Sequence, residues 1–301
     1  MDNQEIKDYK KAGKIAVEIV KHLKVFVKPR MKLIDIANEV DKLIEEKGAK
    51  PAFPVNLSLN EVAAHYTPSA DDETIAEGLL KIDLGVEIEG CIADTAFSLD
   101  LTEDKRFEEM IELNKRALDK VLLKIKPGIR IEDIGNTVQG EVEKYNKANN
   151  KKFSIVKNLT GHSLDKHIIH AGFIIPSYRN ENKTELNGIA FAIEPFLTTG
   201  VGEVYDAKPS EIFMLQKERP VRDKDAREIL KFIKEEYKTK PFCKRWLVKK
   251  KFMKLDFSLR ILLREGILHN FSVLIEKSKH PVSQAEHTVL ISNDLAEVTT
   301  R

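Results

Sequence analysis

Asp83 and Asp94 stand eleven residues apart in a stretch, Ile82 to Phe97, that is otherwise rich in apolar and β-branched residues. Two such runs meet at Glu89-Gly90, a pair suited to a tight two-residue turn, so the stretch reads as a β-hairpin. That turn sets Ile88 opposite Cys91, Asp83 opposite Ala96 and Asp94 opposite Gly85. Side chains alternate along a strand, so the two aspartates share a face, one diagonal step apart; such neighbours lie about 7–8 Å apart at the backbone. Aspartate is depleted from strands, and a buried unpaired carboxylate is costly. Either this face is solvated or paired with Lys or Arg, or the two acids share a divalent cation that offsets their crowding.

More candidate ligands follow. Glu194 interrupts the apolar strand Gly188 to Phe196, and Glu286 lies inside the β-type run Val282 to Ile291. His162, His167 and His170 cluster within nine residues, in a polar loop between strands. His65 is delivered by a loop and short strand within Pro51–Pro68. Asp83, Asp94, His162, Glu194 and Glu286 form an oxygen-rich set that suits Mn, Fe or Co, with Zn also accommodated; a structural zinc site would more often use Cys. Five ligands with bridging carboxylates suit two ions about 3.5–4 Å apart. The chain has no zinc-protease helix motif, phosphate loop or serine elbow, and Gly200-Val201-Gly202 lacks the third glycine of a dinucleotide signal.

The elements that must position these residues come in two similar groups. Residues up to about 28 read as an amphipathic helix; Pro29 breaks it, and a second helix runs to about Lys47. A shift of 98 residues aligns Lys28-Pro29 with Lys126-Pro127, and Asp35-Ile36 with Asp133-Ile134, again between two helices. The same shift brings His65 within one residue of His162. A two-copy repeat predicts two similar halves about a pseudo-two-fold, with a cleft between them. Ser154–Leu159 reads as a strand leading to His162. Residues 206–278 read as a small helical insertion between the last two ligands, its first helix carrying Ile229, Ile233 and Tyr237 behind an acidic start at Asp223 and Asp225. The run Lys240–Lys251 is basic with interleaved aromatics; it reads as an RNA-contacting face or, in the simpler case, as solvated lysines around a buried Trp246.

With 301 residues, 42% apolar and 33% charged, the chain has the composition of a globular protein. A net charge of +2 gives no overall pull toward nucleic acid or membrane. Two distant cysteines, Cys91 and Cys243, predict no disulfide framework and a cytoplasmic location. The amphipathic N-terminus is not a signal peptide, and no apolar run reaches transmembrane length.

Five motifs together resemble the type 2 methionine aminopeptidases of the short, archaeal kind. They are Ala64-His65-Tyr66-Thr67-Pro68, Asp83-Leu84-Gly85 with Asp94, Gly161-His162-Ser163 with His170, Ile193-Glu194-Pro195, and Ala285-Glu286-His287-Thr288. The resemblance spans nearly the whole chain and leaves no ligand replaced. It implies an α/β (α+β) pita-bread fold: two pseudo-symmetric halves of antiparallel sheet and flanking helices over 1–205 and 279–301, with 206–278 as a helical, winged-helix-like insertion. It implies two divalent ions per chain, of Co, Mn, Fe or Zn, held by Asp83, Asp94, His162, Glu194 and Glu286. It implies removal of the initiator methionine before a small second residue, by a metal-bridging hydroxide. Glu194 would also move the proton, and His65 and His170 would contact substrate, the second at the scissile group. Phe53 falls at the methionine-pocket position, and Tyr205 where another pocket residue is expected. The implied partner is the N-terminal methionine of nascent polypeptides, met by a monomer with no membrane attachment; a ribosome contact stays open. Three other readings compete: an Xaa-Pro peptidase of the same fold, a non-catalytic RNA- or ribosome-binding relative, and a structural metal protein. The insertion and the His65-to-Asp83 spacing argue against the first, and the intact ligand set against the second.

Overall fold

The computed structural model describes residues 1–292 and 295–301. It opens with helices α1 (Asn3–Phe26) and α2 (Leu33–Glu46), followed by strands β1 (Lys50–Leu59), β2 (Val62–Ala64), β3 (Leu79–Ile88) and β4 (Cys91–Asp100). Asp2 caps α1, with Glu5 reaching back to complete a capping box. Strands β3 and β4 are the hairpin read from the sequence. Glu89 and Gly90 take φ of 50° and 92°, the positive values a tight primed turn requires. The register is the expected one, with Ile88 facing Cys91, Asp83 facing Ala96 and Gly85 facing Asp94. Segment 51–68, expected as a loop and short strand, instead contains nearly all of the ten-residue β1, which pairs antiparallel with β3 and sets Asn56 opposite Asp83. Gly85 is required here: a Cβ would lie 2.3 Å from the Phe53 ring. Ile19 and Leu23 of α1 and Ile36 and Val40 of α2 pack on Ile82, Leu84 and Val86 of β3.

The second group comprises α3 (Glu108–Leu122), β5 (Ile129–Arg130), α4 (Ile131–Asn149), β6 (Ser154–Ile155), β7 (Gly161–Leu164), β8 (Ile174–Ile175), β9 (Glu185–Leu186), β10 (Ile189–Ile193) and β11 (Phe196–Thr198). Helices α2 and α4 begin at Leu33 and Ile131, so the 98-residue offset marks equivalent helix starts. The expected strand 154–159 is paired only at Ser154–Ile155.

The segment from 206 to 278 carries most of β12 (Val204–Leu215) and all of α5 (Lys224–Glu236), β13 (Phe242–Cys243), α6 (Lys244–Val248), α7 (Leu255–Arg264) and β14 (Leu268–Glu276). Asp223 caps α5, and Ile229 and Ile233 face a core of their own with Trp246, Leu259 and Leu262. The segment is therefore more than helical. Strands β12 and β14 form a long antiparallel ribbon, and β14 also pairs with β2, Leu274 facing Ala64. Two register shifts around Pro209 break the ribbon's alternation, which hid these strands from a period-two reading. The chain closes with β15 (Val282–Gln284), β16 (His287–Ser292) and β17 (Leu295–Val298). A five-stranded sheet runs β17-β16-β10-β7-β8. Leu113, Leu118, Ile134 and Val138 from α3 and α4 pack on Phe191, Ile193, Val289 and Ile291 of that sheet. Among the described residues no helix is long and apolar enough to cross a membrane.

Candidate active site

The two halves meet through backbone. Glu286 N–H donates to the Ala96 carbonyl at 3.0 Å, pinning the β15–β16 junction to β4. Thr288 Oγ1 accepts from Asp94 N–H and donates to the Asp94 carbonyl, both at 2.8 Å. Thr95 Oγ1 donates to the Glu286 carbonyl at 2.9 Å. Asp94 and Glu286 are thus held side by side from opposite halves. His162 arrives on β7, and Glu194 one residue beyond β10. His162 Nε2 lies 3.6 Å from Asp94 Oδ2 and 3.5 Å from Glu194 Oε1. One ligand atom each from Asp94, His162 and Glu286 lie within 4.8 Å of one another. Asp83 completes the group on the shared hairpin face, and all five residues line one cavity of about 350 Å³.

The electrostatics of this cluster are unfavourable without a cation. Among the described residues no Lys or Arg pairs with any of the four carboxylates; their only ion-pair partner is His162. Burial pushes Asp83 up to about 7. Burial, then the charges of Asp83 and Glu194, holds Asp94 well above the ordinary carboxylate range. Burial first, then neighbouring carboxylates, does the same to Glu194 and Glu286. His162 is pushed down to about 3 by burial and, secondarily, by His170. Asp83 Oδ1, Asp94 Oδ1, Glu286 Oε2 and His162 Nδ1 are buried with no hydrogen-bond partner in the protein. Unpaired buried charges cost several kcal/mol each, so a set left in this state fits divalent cations and little else. The donor set, four carboxylates and a neutral imidazole, matches that purpose.

Phe53, His65 and His170 line the same cavity. His65 has φ of +64°, sits edge-on to Phe271 at 5.2 Å, and has Nδ1 3.2 Å from the Ser272 carbonyl. Because that carbonyl only accepts, Nδ1 carries the proton and Nε2 is left as an acceptor. Burial lowers the His65 pKa to about 4, keeping the ring neutral. His170 stands edge-on to His162 at 4.4 Å, and the protein around it lowers its pKa too. Tyr205 is placed elsewhere. On β12 its neighbour Val204 takes the inward position, so Tyr205 points out, 37% exposed, with its hydroxyl accepting from Lys279 Nζ. It does not line the cavity that holds the other candidates.

The sequence reading missed Gln284. Its Nε2 donates to Asp83 Oδ2 at 3.3 Å and to Glu194 Oε2 at 3.4 Å. The amide takes one oxygen of Asp83 and leaves Oδ1 unpartnered on the other side. It does so without bringing a charge that would repel cations. The spacing Gln284, Glu286, Thr288, every second residue of one β-type run, was the available signal. Phe271 and Ile212, wall residues from the insertion, carried no comparable signal.

Residues 7–226 match the model of metallopeptidase family M24. The chain belongs to that family. Among M24 relatives, the methionine aminopeptidase of Pyrococcus horikoshii is 42% identical over 294 residues, covering 96% of this chain and 97% of that protein. The solved structure described as a thermophilic Arx1 superposes with a TM-score of 0.83 at 18% identity, over 99% of this chain and 91% of that one. The methionine aminopeptidase structure from Rickettsia prowazekii gives 0.69 at 20% identity, over 100% and 98%. These structures share the fold of the chain, the pita-bread arrangement of antiparallel sheets and helices that the family resemblance implied.

Proposed function

We propose that Asp83, Asp94, His162, Glu194 and Glu286 hold two divalent ions, of Mn, Fe, Co or Zn, and that this centre is where the chain acts. As an M24 methionine aminopeptidase, the protein is a metal-dependent exopeptidase for N-terminal methionine. The carrying observation is the convergence of four buried carboxylates and a neutral imidazole in one cavity, with unpartnered oxygens and no basic counter-charge.

Divalent cations held by Asp83, Asp94, His162, Glu194 and Glu286 would supply Lewis acidity toward water and the scissile carbonyl. The chain's own groups do the rest. Glu194, one oxygen fixed by Gln284, takes the proton of the attacking water and returns it to the leaving amine. His170, neutral and at the cavity wall, donates a hydrogen bond to the charge developing at the scissile group. His65 Nε2 accepts from a main-chain N–H beyond the methionine, its ring held by the Ser272 carbonyl and Phe271. Phe53 offers an aromatic wall suited to a thioether.

The substrate is the start of a nascent chain with a small second residue, cleaved in the cytoplasm by a monomer. The two free, buried cysteines agree with a reducing compartment. Residues 206–278 form an inserted subdomain on a catalytic unit of 1–205 and 279–301, a division supported by the separate core of α5 to α7. Trp246 is buried and so is not free to stack on bases, which supports the solvated-lysine reading of the basic run over an RNA-contacting face.

Metal-stripped protein resupplied in turn with Mn, Fe, Co and Zn tests the reading on a Met-Ala-Ser peptide and an Xaa-Pro peptide. Metal-dependent release of methionine, with the Xaa-Pro peptide intact, is expected. Xaa-Pro cleavage, or methionine release without metal, would overturn it.

A further inference from the structure

Arg245 lies in the middle of the basic run, yet it is 2% exposed and among the largest fully buried side chains of the protein. Its guanidinium faces away from the core of its own subdomain. Nη1 donates to the Pro68 carbonyl at 2.9 Å and to Thr67 Oγ1 at 3.3 Å. Nη2 donates to Asp41 Oδ2 on α2 at 3.1 Å, and Trp246 Nε1 reaches the same oxygen at 2.9 Å. Thr67 and Pro68 follow His65 by two and three residues.

The other side of His65 is held by the insertion as well. Ala64 pairs with Leu274 of β14, and Ser272 and Phe271 of the same strand contact the His65 ring. His65 sits in the left-handed region, which a non-glycine residue keeps only where its surroundings over-determine it. Its chain is gripped before the bend by β14 and after it by Arg245. Burying a guanidinium is expensive, and an apolar side chain would dock the insertion on α2 as well. What an apolar residue would not supply is a forked donor to the carbonyl and hydroxyl of the segment that follows His65.

We propose that Arg245 is a positioning residue that acts through His65, and that the insertion contributes to the reaction by fixing the His65 ring at the cavity wall. This rests on the reading of His65 as a substrate contact. Freed from Arg245, residues 65–68 would relax, and a displacement on the order of 1 Å at a positioning group can cost about 100-fold in rate.

A double-mutant cycle tests it, with kcat/KM for methionine release, calorimetric metal affinity and thermal unfolding measured on each protein. Arg245→Ala is expected to lower kcat/KM roughly 10- to 100-fold in the otherwise native chain. In a His65→Ala background the same change is expected to cost less than about twofold. Metal affinity should be unaltered, and Arg245→Lys, which keeps the charge without the fork, should recover only part of the loss. Equal factors in the two backgrounds would overturn the proposal and leave the reading of His65 standing. A His65→Ala protein of native activity would overturn both. If Arg245→Ala does not fold, Thr67→Val and Asp41→Asn enter the same cycle with the same two outcomes.

Discussion

The carboxylate–histidine cluster and the wall that faces it are built in different ways. Asp83 and Asp94 sit in the middle of ten-residue strands, His162 on β7, and Glu194 and Glu286 one residue from a strand end. Ladders and side-chain clasps such as Thr288 on Asp94 fix these positions from both halves. His65 follows a three-residue strand at positive φ, and His170 lies in the loop between β7 and β8. Phe271 and Ile212 come from the 206–278 segment. The cluster is also electrostatically unsatisfied in the bare chain, while His65 is neutral and hydrogen-bonded. Gripping cations needs donors that cannot move apart, and rigid register supplies them. On the proposed reading, substrate contact falls to segments that other parts of the fold hold in place.

Substitutions that break the cluster should be the most damaging. Asp94→Asn is expected to cut methionine release by about 10³-fold or more, in a steady-state assay, and His162→Ala likewise. Because Asp94→Asn removes one of several crowded charges, the metal-free variant should unfold no earlier than the metal-free native chain. Changes to the wall should be milder and separable. His170→Ala should lower kcat by about 100-fold, with calorimetric metal affinity unchanged; a matching loss of affinity would place His170 in the cluster instead.

Gln284→Leu blurs the comparison, since Gln284 touches two carboxylates without being a ligand. Metal affinity should weaken by about tenfold, read by calorimetry, while the fold is retained. The smallest effect is in stability. Asp83, raised to about 7, makes the folded metal-free chain bind more protons than the unfolded chain. That contribution is full below the unfolded carboxylate range and is lost as pH rises through 7. His65 and His162, lowered to about 4 and about 3, work oppositely, and because an unfolded histidine is only half deprotonated near 6.5 their contribution is still growing as pH rises toward about 7.5. Comparison with Asp83→Asn, which shares these histidines, isolates the carboxylate: between about pH 6 and 8 the metal-free native chain should lose stability on the order of 1 kcal/mol relative to the metal-free variant, measured by denaturant titration.

The cluster was legible because a tight turn at Glu89-Gly90 fixes the hairpin register, and register alone puts Asp83 and Asp94 on one face. The helix pairs were legible because proline junctions recur at the same offset as the helix starts. The ribbon β12–β14 was not, since its alternation is broken near Pro209. Tyr205 was named from the resemblance alone, and no local pattern told which side of the ribbon it takes; it stands on the solvent side. Arg245 looked like surface because its partner, Asp41, lies 204 residues away in the chain. No local pattern carries such a pairing.

Crystals of the protein loaded with manganese, with data collected at the manganese edge, give the most direct test of the central claim. Two anomalous peaks about 3.5–4 Å apart are predicted, flanked by Asp83, Asp94, His162, Glu194 and Glu286. Peaks lying elsewhere, or a metal bound without these five side chains around it, would contradict the account.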